Sequence, residues 1–266
     1  MKYSLHKWGL AIILIMAVTG AVNAQYVIQP KPIGDVESFV YETDRIFNFH
    51  VHTNGFAVDY AIGTIETWYK SSYYYFGIGS LKHPKEYAQN FKLFNRGFSH
   101  ESSKAFIYGK QNRFYALRAG IGKRRLFSEK AKRKSIVVGV SYEFGPTLGI
   151  LKPYYLKLKT FADGGSEPII SVEKYSQDNA DLFLDGDLIF GGAEFRHGLD
   201  ELKIRPGFHG KLGVNFSWGT NDKMVKAIEA GVMADLFFSS VPIMITEQNR
   251  PYFLNLYLTL QLGKRS

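Results

Sequence analysis

The stretch Phe253-Leu254-Asn255-Leu256-Tyr257-Leu258-Thr259-Leu260-Gln261-Leu262 decides the reading of this chain. Leu254, Leu256, Leu258, Leu260 and Leu262 occupy every second position, and largely polar residues stand between them. A period of two belongs to a strand with one apolar face; a helix would spread the same leucines around its axis.

The pattern repeats upstream. Ile228, Ala230, Val232, Ala234 and Leu236 alternate with Glu229, Gly231, Met233 and Asp235, and Phe208, Gly210, Leu212, Val214, Phe216 and Trp218 alternate with His209, Lys211, Gly213, Asn215 and Ser217. Ile136 to Phe144 and Phe114 to Ile121 follow the same rule. Two less regular segments, Ile46–Thr53 and Phe56–Thr67, meet at Asn54-Gly55, a strong hairpin signal. Ser72–Ser80, Gly149–Thr160 and Asp187–Phe195 complete a set of about ten strands, with eight to twelve allowed. The fold class is therefore all-β, an antiparallel barrel. Ten strands leave one difficulty: with both termini on one side, the long connection from Phe161 to about Asp185 falls on the side of the termini, where membrane barrels keep turns short. A further strand near Ile169–Tyr175, paired with one near Phe39 or Phe106, is one way to repair the parity.

Alternation defines two faces without saying which is inside. The second face carries Gly120, Gly139, Gly213 and Gly231 beside Arg118, Lys211, Glu143 and Glu229. Glycine weakens a solvent-facing strand, but inside a narrow barrel it makes room for long charged neighbours. That favours a transmembrane barrel, polar inside and apolar outside, over a soluble lipocalin-like one. The candidate interior charges are Asp59, Arg118, Glu143, Lys157, Lys159, Lys211, Glu229 and Asp235, and the leucines of 254–262 form the candidate lipid-facing strand. Aromatic residues make up 15% of the chain, and Tyr73-Tyr74-Tyr75 with Trp68 and Tyr69 read as part of an interfacial girdle.

The N-terminus carries Lys2 and Lys7, an apolar run Trp8–Val18 and the small-residue ending Val22-Asn23-Ala24. The run is too short to span a bilayer, which needs about 20 residues, and reads as a cleaved export signal over 1–24. A short periplasmic lead over 25–44 and a barrel over 45–266 follow. The chain has no cysteine, which excludes disulfides, Cys-ligated metal and N-terminal lipid attachment at cysteine. Its net charge of +9 suits phosphate-rich envelope lipid; export makes nucleic acid an unsuitable partner.

No motif carries catalysis, and no cofactor is expected. His50 and His52 share a strand face, but two ligands fall short of the usual three or four for a metal. Gly77-Ile78-Gly79 and Gly120-Ile121-Gly122 lack the rest of a nucleotide fingerprint. Ser141 lacks a glycine elbow, so an outer-membrane lipid hydrolase using Ser141 or His209 is a remote alternative.

Several blocks resemble signatures of a poorly characterised outer-membrane barrel family of the Bacteroidota: Gly145-Pro146-Thr147-Leu148-Gly149-Ile150-Leu151-Lys152-Pro153-Tyr154-Tyr155, Glu201 to Phe208, Ala227 to Gly231, and the ending from Phe253 through Arg265. Lys82 to Glu86 and Tyr108-Gly109-Lys110 extend the resemblance into the N-terminal half. It implies an outer-membrane barrel without assigned catalytic residues, inserted by the barrel-assembly machinery after export through the inner membrane. Two roles are open: a structural barrel or small-solute channel, and a subunit of a larger outer-membrane secretion or assembly complex with protein partners. Val241-Pro242-Ile243-Met244-Ile245, apolar within a presumed connection, either docks such a partner or folds back to cap the barrel.

Overall fold

The computed structural model describes residues 41–67, 69–89, 104–127, 136–161, 168–218 and 223–266. The expected export signal, most of the lead and Trp68 lie outside the described residues. Among them are thirteen strands and one short helix: β1 (Thr43–His52), β2 (Gly55–Thr67), β3 (Lys70–Leu81), β4 (Ala88–Gln89), β5 (Phe106–Ile107), β6 (Asn112–Leu126), β7 (Val137–Pro153), β8 (Tyr155–Phe161), β9 (Pro168–Lys174), α1 (Ala180–Leu184), β10 (Ile189–Gly192), β11 (Lys203–Ser217), β12 (Met224–Phe237) and β13 (Tyr252–Arg265), counted over the described residues.

Eight of the strands close into an antiparallel barrel in the order β1-β13-β12-β11-β7-β6-β3-β2. Each barrel strand pairs with its sequence neighbour in the wall, and β13 returns to β1 from Asp44↔Arg265 to His52↔Tyr257. Closure leaves no open sheet edge. The wall is inverted relative to a soluble barrel: along β13 Phe253, Asn255, Tyr257, Thr259 and Gln261 are buried, while Leu254 is 71% and Leu258 54% exposed. Phe47, Phe56, Phe76, Phe144 and Leu212 likewise stand on the outer surface.

The barrel has eight strands, not ten, because two expected segments belong elsewhere. Gly145-Pro146 reads as a turn, yet β7 runs straight through it. Pro146 faces outward opposite Phe208 of β11, and the ladder to β6 skips the positions opposite Gly145 and Pro146 before resuming in the same register. Proline has no N–H to donate, so one side of the ladder gives way while the other holds the strand. Gly145 lets the wall close up there: a Cβ would meet the Cα of Gly120 at 2.6 Å. Gly149–Pro153 thus continues β7, and the strand read over Asp187–Phe195 is β10, outside the barrel. β9 and β5 do form near Ile169–Tyr175 and Phe106, but neither enters the barrel. The parity difficulty disappears by losing strands rather than gaining them.

The three longest connections now leave one end. Residues 82–111, 154–202 and 238–251 join β3 to β6, β7 to β11 and β12 to β13 there, while Thr43 and Ser266 lie at the other end, exchanging backbone hydrogen bonds of 2.8 and 2.9 Å. The long connections build a cap. It contains the sheet β10-β8-β9, the pair β4-β5 and α1, with its own apolar core of Phe106, Tyr154, Leu156, Leu158, Phe183 and Ile189. A second apolar cluster, including Leu81, Phe114, Leu151, Phe237, Val241, Ile243 and Met244, plugs the barrel mouth below it. The first barrel strand starts at Thr43, two residues before the expected boundary at 45. Among the described residues no helix is long and apolar enough to cross a membrane.

Candidate functional site: the barrel interior

Period-two geometry aims every second side chain of eight strands at one axis, and eight strands leave an interior that side chains can fill. The filling depends on glycine at two places. Tyr73 of β3 stands opposite Gly122 of β6, where a side chain would collide with its ring; the vacancy lets the phenol pass over β6 and donate to Glu143 Oε1 of β7 at 2.9 Å. Tyr257 of β13 uses Gly213 in the same way and donates to Glu229 Oε1 of β12 at 2.8 Å.

Around these tyrosines lies a connected set of buried charges. Lys211 of β11 sits between Glu143 at 2.8 Å and Glu229 at 3.2 Å, with its ammonium 5.1 Å from the centre of the Tyr257 ring. Arg118 of β6 reaches Asp235 of β12 with Nε and Nη2 at 2.8 and 2.9 Å, a bidentate pair spanning the interior; His209 Nδ1 lies 3.2 Å from the same carboxylate. Asp59 of β2 contacts His50 and accepts a hydrogen bond from Asn48, and His50 Nδ1 lies 2.6 Å from Thr259 Oγ1. Toward the end that holds the termini, Arg124 reaches Gln261 at 3.3 Å and Asp44 at 3.9 Å. Asn215 donates to Gln261 at 2.6 Å.

Such pairing is what a buried charge requires, since an ion taken from water without a partner costs several kcal/mol. Three permanent cations, Arg118, Arg124 and Lys211, face the five buried carboxylates Asp44, Asp59, Glu143, Glu229 and Asp235, and His50 and His209 stand against two of those acids. Little space remains. A cavity of about 20 Å³ lies among His50, Asp59, Tyr75, Arg118, Glu143 and Lys211, enough for one or two waters.

Against this geometry the chain can be set beside known proteins. No protein-family model matches it, and no curated relative is similar in sequence. Among solved structures it is similar to Neisserial surface protein A, at 8% identity and a TM-score of 0.38 over 84% of this chain and 96% of that one. It is similar to Ail, the attachment invasion locus protein of Yersinia pestis, at 6% identity and a TM-score of 0.38 over 85% and 100%. The N-terminal β-barrel domain of Pseudomonas aeruginosa OprF follows at 7% identity and a TM-score of 0.32 over 84% and 98%.

Six of the eight candidate interior charges, Asp59, Arg118, Glu143, Lys211, Glu229 and Asp235, come together inside the barrel. Lys157 and Lys159 do not. Both lie on β8 in the cap, on the face opposite its buried Leu156 and Leu158, because the segment read as a barrel strand leaves the wall after Pro153. The tyrosine run is also divided by alternation: Tyr74 is 72% exposed on the outer surface, whereas Tyr73 and Tyr75 point inward. Only Tyr74 of the three can belong to a girdle.

Reading the sequence strand by strand missed Asp44, Arg124 and the partners His50 and His209. Parity along β6 does place Arg124 on the face of Arg118, and parity along β11 places His209 beside Lys211. What parity cannot supply is the partner across the barrel. His50 and His52 are both buried, but His50 is engaged by Asp59 and neither ring nitrogen of His52 has a hydrogen-bond partner. Among the described residues no three His, Cys, Asp or Glu side chains converge to hold a metal. Ser141 and His209 form no hydrogen-bonded couple. Val241, Ile243 and Met244 fold inward and cap the barrel mouth.

Proposed function

We propose that this protein is an outer-membrane barrel that does not conduct, a closed anchor carrying a folded cap on the outer face of the cell envelope. One observation carries the reading: an ion-paired interior enclosed by a wall whose outer surface is apolar on all eight strands. Hydrocarbon accepts such a surface and water does not, and closed barrels and helices are the structures that satisfy backbone groups within a bilayer. The three longest connections all leave the end away from the termini, as the external connections of membrane barrels usually do. The export signal expected from residues 1–24 and the resemblance to the Bacteroidota barrel family fit the same assignment.

A filled interior supports a structural role over a small-solute channel, and no enzymatic function is proposed. The expected result is that the protein fractionates with outer membranes, requires detergent, and gives negligible conductance in planar bilayers. A steady water-filled pore would overturn the closed reading; wild-type protein soluble in the periplasm would overturn the membrane reading.

A second role, as a subunit of an outer-membrane complex, is favoured by β9. Among the described residues it pairs only with β8, and its Ile169, Ile170 and Val172 are exposed. An open apolar edge strand is a template for another chain. Mild-detergent purification tests this: recovery of the barrel alone argues against a stable complex.

A further inference from the structure

Arg45, Lys226 and Lys264 stand on the three adjacent wall strands β1, β12 and β13, at the end that holds the termini. All three face outward and are exposed. Arg45 is directly opposite Lys264; Lys226 is opposite Leu262 on the other side of β13, diagonal to Lys264. Directly opposed side chains have Cβ atoms about 5 Å apart, and like charges so placed repel. Among the described residues none of the three has a carboxylate partner in an ion pair. Asp44, the acid next to Arg45 in sequence, is buried on the inner face beside Arg124, and Glu42 precedes β1.

The cluster adjoins that band without a gap. Leu262 lies between Phe47 of β1 and Lys226 of β12, and Leu260 between Phe49 and Ile228; Phe47, Phe49, Leu260, Leu262 and Ile228 are exposed. An apolar surface ending in three unpaired cations has the two-part chemistry of a phospholipid.

We propose that Arg45, Lys226 and Lys264 form a binding site for the phosphate of an anionic phospholipid in the periplasmic leaflet, its acyl chains lying along Phe47, Leu260 and Leu262. This rests on the membrane-barrel reading. At the same end Lys70 and Arg125 are also directly opposed, but Lys70 is paired with Glu66 at 2.5 Å and the Arg125 guanidinium lies 5.9 Å from the centre of the Tyr69 ring; Lys123, exposed on β6, stands opposite Ser72 and Tyr142. In the triad the repulsion is left for a ligand to relieve. Lipid phosphate also explains why the cations stop where the leucines begin, since the boundary marks headgroup depth.

The full chain, refolded into phosphatidylcholine vesicles with or without a minor fraction of phosphatidylglycerol, tests the site. Each cation near an anionic surface is worth about a fivefold change in affinity. The wild type should enrich phosphatidylglycerol, read by native mass spectrometry of the extracted protein, and the triple variant R45Q/K226Q/K264Q should lose that enrichment roughly tenfold or more. A control variant, K82Q/K104Q/K203Q, removes three exposed cations at the cap end and should keep it. High salt, which shortens the screening length to about 3 Å at 1 M, should weaken enrichment in the wild type. Equal enrichment in the wild type and triple variant, or none in the wild type, overturns the site while insertion into phosphatidylcholine upholds the membrane reading. If the wild type inserts into neither vesicle, the membrane reading itself fails.

Discussion

The barrel and its cap solve the burial problem in opposite ways within one chain. The cap follows the rule of water-soluble proteins: Phe106, Leu156, Leu158, Phe183 and Ile189 are inside, and Lys157 and Lys159 are turned away from that core. In the barrel wall, leucine and phenylalanine are outside and arginine, lysine and aspartate inside. Both arrangements use strands with the same alternation. The difference teaches that a strand's period creates two faces, and that the period itself does not say which of them the fold turns inward.

The largest expected effect comes from breaking the interior ionic set. Asp235→Ala leaves Arg118 buried against an empty partner position and should cost about 3–5 kcal/mol. Replacing both members, as Arg118→Met with Asp235→Leu, should recover much of that loss, because two apolar groups of similar volume need no pairing. Denaturant titration of the refolded barrel checks both. If Asp235→Ala were neutral, the interior would be wet enough to solvate a lone guanidinium, and the closed-anchor reading would fall with it.

The wall itself is tested next. Leu258→Arg, near mid-strand on the outer face, should cost about 2–4 kcal/mol and impair insertion, read as a lost heat-dependent gel shift. Thr259→Arg, one residue on, would be mild in a water-filled lumen. Thr259 instead is fully buried beside His50, so overpacking should cost about 1–3 kcal/mol. A harmless Thr259→Arg would contradict the packed interior.

In the cap, the effects should be smaller and local. Ile189→Val deletes one methylene from the apolar core and should loosen the cap by about 0.5–1.5 kcal/mol. Protease sensitivity of 154–202 should rise, with the gel shift of the barrel unchanged; a weakened barrel would mean that the two regions fold as one.

The smallest effect is pH-dependent. Burial pushes the Lys110 ammonium below its ordinary range although Glu86 pairs with it and pulls the other way. Between its lowered value and the ordinary 10.5, the unfolded connection holds a proton that the folded one has released, so stability of this corner should rise with pH through that window. Limited proteolysis within 82–111 should slow modestly as the pH rises toward the ordinary 10.5, and Lys110→Met should abolish the dependence. Faster cleavage of the wild type at the higher pH would reverse the sign and refute the argument.

Much of the wall was legible in the sequence. The five alternating segments lie where expected, because side-chain direction along a strand follows from backbone geometry alone. The Asn54-Gly55 hairpin formed too, with Gly55 at a φ of +148°. Six of the interior charges could be named from parity. The rest needed the closed structure. A strand does not know that proline will be tolerated on one side of its ladder, as at Pro146, or that it will leave the wall, as after Pro153. Nor does local sequence tell which opposite strand will bring Asp235 to Arg118, since those positions lie far apart in the chain and meet only through closure. The residues by themselves determined that there are two faces and what chemistry each carries. Tertiary structure alone decided how many strands enclose the interior and which charges pair, because those are properties of a closed surface and no single strand possesses them.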